Sequence, residues 1–162
     1  MRLFDLLIGA LVLLGLAAIS VFIQQREETD GAAYAVDGDT LDVAGARVRL
    51  AGIDAPELKQ ECVRDRRSWP CGEVARRVLE ESLKGAVSCA GNGRDPYGRI
   101  VARCTVGGQD LADHMVREGL AVAYRGRDYA GSEAQAQAAR RGIWAGSFQP
   151  PAEYRSDHPR TP

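Results

Sequence analysis

The sequence predicts a five-stranded OB-type barrel with three helices, an α+β fold, behind an apolar N-terminal segment. Three observations carry that prediction. Short apolar runs broken by turn dipeptides, of which Asp37-Gly38 is the strongest, read as a meander of three strands. A helical period over Gly72–Lys84 follows the third strand, and two more strands follow the helix. Three strands, a helix and two strands is the order of a five-stranded barrel with its helix between strands three and four.

The 162 residues divide at about residue 31. Leu6–Ile23 is an uncharged apolar run of 18 residues, long enough to span a bilayer at the short end of the range. Two readings stand beside each other, a cleaved signal peptide and an uncleaved anchor. Ala18 and Ser20 suit cleavage after Ser20, but Val21-Phe22-Ile23 continues the run, and that length favours the anchor. Arg2 precedes the span, whereas Arg26 beyond it is outnumbered by Glu27, Glu28 and Asp30, so the N-terminus is expected inside and the rest outside the cytoplasm. The expected organisation is a leader over 1–23, a polar linker over 24–31, one domain over 32–146 and a Pro-rich tail over 147–162.

Within the domain, Ala32–Val43 is a hairpin about Asp37-Gly38, and Ala44-Gly45-Ala46 turns into the third strand at Arg47–Ala51. Leu58–Pro70 is a charged loop with Arg64, Arg66 and Arg67. In Gly72–Lys84, Val74, Val78 and Leu79 form the apolar face, and Gly85 stops the helix. Ala86–Ala90 and Ile100–Val106 are strands joined by Gly91–Gly98. Asp110 stands at the start of a second helix ending at Gly119, Leu120–Tyr124 is a short strand, and Ser132–Arg141 is the third helix. The tail from Ser147 holds four of the seven prolines and reads as extended or disordered.

Formal net charge is −1, which does not advertise a nucleic-acid binder and argues against a purely electrostatic one. All but two of the 21 basic residues are arginine, so an anion site here would be built from guanidiniums. The four cysteines, Cys62, Cys71, Cys89 and Cys104, lack CxxC spacing, and His114 and His158 lie far from them, which argues against zinc. Disulfides in an oxidising compartment are the better reading, with four buried thiols as the alternative. Three connectivities are open. The nearest-neighbour pairs Cys62–Cys71 and Cys89–Cys104 are favoured, each closing a short loop at a gain of about 2–3 kcal/mol.

The polar residues that matter stand where strands end. Val48–Glu57 reads V-R-L-A-G-I-D-A-P-E, a strand with Arg49 interleaved that finishes on Asp54 and Glu57 in a turn stiffened by Pro56. Asp37, Asp39 and Thr40 lie at the first hairpin, and Asp95-Pro96-Tyr97-Gly98-Arg99 opens the fifth strand. Two acids and a guanidinium held this closely suit a metal that must meet a phosphate. Each part has a plainer reading alone: Asp37-Gly38 as a turn, Arg99 as a solvated strand residue, Tyr97 as loop packing, Tyr124 as a core-edge aromatic. The histidines lie near none of these motifs, which disfavours a serine or cysteine nucleophile.

Taken in order, D-G-D-T, R-L-x-G-I-D-A-P-E, D-x-Y-G-R, a V-x-x-G-L-A segment and an E-x-x-A helix leading to G-I-W resemble the staphylococcal nuclease family over about Tyr34 to Trp144. The cysteines, with W-P-C-G before the first helix, resemble its exported bacterial branch. The resemblance implies a Ca²⁺-dependent nuclease hydrolysing phosphodiesters of DNA or RNA. It implies Asp39 and Asp54 as carboxylate ligands, with the backbone carbonyl of Ala55, which stands where threonine is usual. It further implies Glu57 orienting or deprotonating the attacking water, and Arg49 and Arg99 on the phosphate oxygens. Asp37 and Thr40 would support the metal site, while Tyr97 and Tyr124 would contact substrate. Pro96 replaces a frequent lysine, removing one phosphate contact. The expected protein is monomeric, anchored in the inner membrane or secreted. The competing class is a non-catalytic OB-type module binding single-stranded nucleic acid or a protein, which would be expected to lose Glu57 or one of the arginines.

Overall fold

The computed structural model describes residues 8–9, 11–15 and 27–159. Residues 8–9 and 11–15 are helical, and among the described residues no helix is long and apolar enough to cross a membrane. Most of the expected anchor Leu6–Ile23 lies outside the described residues.

The strands are β1 (Glu27–Gly31), β2 (Ala33–Ala35), β3 (Thr40–Val43), β4 (Ala46–Leu50), β5 (Ile53–Asp54), β6 (Cys62–Arg64), β7 (Arg67–Trp69), β8 (Val87–Arg94), β9 (Ile100–Val106), β10 (Gln109–Asp110) and β11 (Val122–Ala123). The helices are α1 (Cys71–Glu81), α2 (Leu111–Arg117), α3 (Ala130–Ala138) and α4 (Pro151–Asp157), with a 3₁₀ turn at Gly142–Ala145 between the last two. The main sheet runs β1-β8-β9-β4-β3-β2, with β10 added on β9. Its parallel join, Val48 opposite Ile100, brings β4 beside β9, while β5 pairs separately with β11. This mixed sheet with helices is an α+β arrangement consistent with the expected OB type.

The meander forms for the expected reasons. Leu41 and Val43 on β3, and Val48 and Leu50 on β4, are buried, and the polar residues between them face out. Asp42 accepts a hydrogen bond from the Gly45 amide and closes the second turn. In the first turn, a Cβ on Gly38 would stand 2.7 Å from the Ala55 Cβ and 2.8 Å from the Ala75 Cβ. Only glycine lets the hairpin press against both Ala55, just after β5, and α1. The core continues through Val87, Ile100 and Ala102 to Ala75 and Leu79 of α1 and Leu111, Met115 and Val116 of α2. The expected face of α1 meets the core: Leu79 is buried with Ala75 at its centre, and Val74 and Val78 pack against the cluster at its edge, partly buried. Asp110 caps α2, accepting from the Ala112 and Asp113 amides.

Residues 91–94, read as part of a loop, continue β8 through a register shift against β9, and three further segments depart from expectation. Glu27–Gly31, read as linker, is an edge strand paired with β8 from Glu27 opposite Gly91 to Gly31 opposite Val87. An edge strand needs only backbone partners, so an acidic segment without apolar period can supply it. Residues 62–69, read as a loop, form the β6–β7 hairpin, turned by Asp65 and Arg66 at positive φ. The tail read as extended or disordered instead forms α4, opened by Pro150-Pro151.

Both disulfides take the expected pairing, Cys62–Cys71 and Cys89–Cys104. The second joins residues directly opposite across β8 and β9. The first lies in a small cluster with Ile143, packed by Trp69, Trp144 and Phe148. Phe148 meets Trp144 edge to face, and Ser147 bridges Val63, so this cluster ties the start of the tail to the domain.

Candidate active site

The first hairpin, the β4–β5 corner and the start of β9 bring the predicted polar residues together. Asp39 follows the Gly38 turn and is 4% exposed. Its Oδ1 accepts from Arg49 Nη1 at 2.7 Å and from the Thr40 hydroxyl at 3.1 Å, and its Oδ2 accepts from the Ala55 amide at 3.1 Å. Asp37 accepts from the Asp39 amide and so holds the turn that presents it. Burial pushes the Asp39 carboxyl up to about 7; Arg49 and the Ala55 amide act against the rise, and Asp37 and Asp54 add to it. A buried carboxylate in that position gains from any additional cation.

Asp54 is 1% exposed at the end of β5, opposite Val122 of β11. Arg49 reaches it from β4: one guanidinium spans both acids, with Nη2 2.9 Å from Asp54 Oδ1 and 3.3 Å from the Ile53 carbonyl. Glu57 follows Pro56, its amide donating to Gln60 Oε1 and its carbonyl accepting from the Gln60 amide. The first turn of α1 packs directly on this loop: a Cβ on Gly72 would stand 1.8 Å from the Glu57 carbonyl oxygen.

Arg99 arrives from the other side. Its Nε donates to Asp95 Oδ2 at 2.7 Å and its Nη1 to the Thr40 hydroxyl at 3.1 Å. Thr40 thus links Arg99 to Asp39 through one hydroxyl. Asp95 also accepts from the Tyr97 and Arg99 amides. Desolvation opposes its ionisation, but the Arg99 side chain and amide outweigh that and hold its carboxyl below the ordinary value. Tyr97 is 84% exposed at the rim, with the Arg99 guanidinium over its ring. Asp37, Thr40, Glu57, Leu58, Tyr97 and Arg99 line an open cavity of about 350 Å³. Tyr124 is not part of this cluster: its amide donates to the Gly52 carbonyl and its ring lies under Arg125.

The hydrogen bond formed by Ala55 within the site comes from its amide, to Asp39. Among the described residues no three His, Cys, Asp or Glu side chains come together as a ready-made metal cluster. The acids converge on guanidiniums instead, and one of these was missed in the sequence. Arg155 of α4 places Nη1 2.9 Å from Asp54 Oδ1 and 3.2 Å from Glu57 Oε1, and Nη2 2.9 Å from Asp54 Oδ2. Hydrogen bonding to Asp54 raises that guanidinium above its ordinary value. The Pro-Pro pair followed by Glu153 was the available signal for a helix start in the tail.

The sequence model described as Staphylococcal nuclease homologue matches residues 47–146. Among curated relatives, the succinoglycan biosynthesis protein ExoI of Rhizobium meliloti is 36% identical over 122 residues, covering 70% of this chain and 63% of its own length. A probable endonuclease LCL3 of Scheffersomyces stipitis is 30% identical, covering 70% of this chain and 54% of its own. A probable staphylococcal-like nuclease CAN1 of Oryza sativa is 34% identical, covering 68% and 33%. The chain therefore spans between one third and just under two thirds of the length of these relatives. The matched interval contains Arg49, Asp54, Glu57 and Arg99, and the structure adds Asp39 to them from the preceding hairpin. On the match over residues 47–146, this chain belongs to the staphylococcal nuclease family.

Proposed function

We propose that the protein is a Ca²⁺-dependent nuclease that hydrolyses phosphodiester bonds of DNA or RNA by attack of water on phosphorus. The observation that carries this reading is the pair of buried carboxylates, Asp39 and Asp54, spanned by Arg49 and linked through the Thr40 hydroxyl to Arg99, which lines a cavity with Glu57. The donor set fits the ion: two carboxylates and the Ala55 carbonyl are hard oxygen ligands, and the raised Asp39 marks a buried charge short of compensation. Bound there, Ca²⁺ would act as a Lewis acid on a phosphoryl oxygen.

The remaining roles belong to side chains. Glu57, on the cavity wall, orients the attacking water and takes its proton. Arg99, its plane held by Asp95 and Thr40, meets the phosphate oxygens without needing to reorganise as charge develops. Arg49 holds the two acids together and presents the second guanidinium. Tyr97 offers an exposed ring to the nucleotide, whereas Tyr124, which follows β11 outside the cluster, could meet only a more distant part of the substrate. Two disulfides support a location outside the cytoplasm, with residues 1–23 as inner-membrane anchor or cleaved signal. The domain acts as a monomer in this reading.

One observation favours a second reading, a binding module without turnover: Arg155 already neutralises Asp54 and Glu57. The two separate in one assay. The full-length chain should cleave single-stranded DNA with Ca²⁺ and stop on chelation. Binding without cleavage at any Ca²⁺ concentration would overturn the nuclease.

A further inference from the structure

Arg155 lies 101 residues from Asp54 and beyond the segment shared with the family. Its helix is seated independently of its own ion pairs. Pro151 is buried, Gln60 Nε2 donates to the Gln149 carbonyl at 2.7 Å, and the Tyr154 hydroxyl donates to the Lys59 carbonyl at 3.4 Å. Lys59 and Gln60 directly follow the Glu57 turn. The tail is therefore docked on the loop that carries the acids, and one side chain of α4 is delivered to them.

That side chain takes up the acceptor capacity of Asp54. Both Asp54 oxygens receive Arg155, and Oδ1 also receives Arg49, in a residue only 1% exposed. A divalent ion would need the same lone pairs. It would also stand within a few ångströms of a guanidinium in a site where solvent screens little, so the two positive groups repel. They cannot both hold Asp54 in this arrangement.

The geometry points to Arg155 as the resident counter-cation of the active site: it occupies Asp54 and Glu57 when no divalent ion is bound, and an ion must displace it. Ion binding and the docked Arg155 contact then exclude one another. This rests on reading Asp39 and Asp54 as the ion site. It makes the apparent affinity for the ion lower than the intrinsic affinity of the acids by the fraction of molecules with Arg155 undocked.

Calorimetric titration of the metal-free full-length chain with Ca²⁺ tests this, comparing wild type with Arg155→Gln, Arg155→Lys and Asp54→Asn. Removing hydrogen bonds of this charged kind should tighten Ca²⁺ by about 10- to 100-fold in Arg155→Gln. Arg155→Lys keeps the charge but loses the two-pronged fit on Asp54, so it should tighten Ca²⁺ as well, by a smaller factor. Tightening in glutamine alone would mean simple charge removal and overturn the displacement. Trypsin supplies a second readout, since it cuts after Arg155. Cleavage at Arg155–Ser156, located by mass spectrometry, should accelerate when Ca²⁺ is added to wild type. Asp54→Asn should be cut at one rate with or without the ion.

Failure can be assigned. Ca²⁺ that binds wild type, is lost in Asp54→Asn and is unchanged in both Arg155 variants overturns the displacement and leaves the ion site standing. Unchanged Ca²⁺ affinity with weakened DNA binding in Arg155→Gln makes Arg155 a substrate contact instead. No Ca²⁺ binding in any variant overturns both the displacement and the ion site beneath it.

Discussion

Replacing Arg99 by lysine tests whether the site is built for a transition state or only for binding. The guanidinium is fixed at two points, Nε on Asp95 at 2.7 Å and Nη1 on Thr40 at 3.1 Å, with its side chain 20% exposed. A lysine ammonium is a single point charge on a flexible stem and cannot serve both anchors and a phosphate oxygen together. Losing one preorganised donor to developing charge should lower turnover by about 10²–10³. The effect on stability should be much smaller. Asp95 keeps two backbone amides, from Tyr97 and Arg99, so the loss is about 1 kcal/mol, a few degrees in Tm. The assay measures kcat with Ca²⁺ and Kd with chelator on one single-stranded DNA, beside a thermal melt. The expected pattern is a large fall in kcat, a change of no more than a few-fold in Kd and a small shift in Tm. Equal, small losses in kcat and Kd would refute the catalytic role. A collapse in Tm would show instead that the Asp95–Arg99 link is structural first.

Further outcomes follow from other contacts. Gly72→Ala should destabilise by about 1–3 kcal/mol and lower turnover together, because its Cβ can fit only if the Glu57 loop retreats; a variant with unchanged Tm and kcat defeats that packing argument. Unreduced peptide mapping should recover Cys62–Cys71 and Cys89–Cys104, with reduction of each costing about 2–3 kcal/mol, whereas four alkylatable thiols in exported protein would exclude the bridges. Asp95 has a folded pKa below its ordinary 3.8, so its stabilising contribution is present above that value and lost as pH falls through the folded one. The Tm gap between wild type and Asp95→Asn should therefore be full near pH 6 and close on acidification below about 4. A gap that widens with acid contradicts the sign.

The nuclease-like motifs were readable because each is short and stands at a turn. Asp39 follows an Asp-Gly turn, Asp54 ends a strand before Pro56, and Arg99 follows Tyr97-Gly98. The helical period placed Val74, Val78 and Leu79 on the face of α1 that meets the core, but not the depth of each: Leu79 is buried, while the valines lie at the edge of the stripe. Ala55 shows a different limit: besides the carbonyl expected to face an ion, its amide positions Asp39. No sequence signal separates the two, since every non-proline residue carries both groups.

Local chemistry therefore marked the turns of the first meander, favoured the nearest-neighbour disulfides and singled out the polar residues at strand ends. Each of these depends on neighbours within a few positions, or on cysteines whose loops are short. The edge strand Glu27–Gly31, the β6–β7 hairpin and α4 were decided by long-range contact. They carry no strong apolar period, and their stability comes from what they meet: the free edge of β8, the disulfide cluster, and the Lys59 carbonyl with the Gln60 side chain. Arg155 is the extreme case. Nothing around it marks an active-site residue, and its role exists only because a docked helix carries it across 101 residues to two buried oxygens of Asp54.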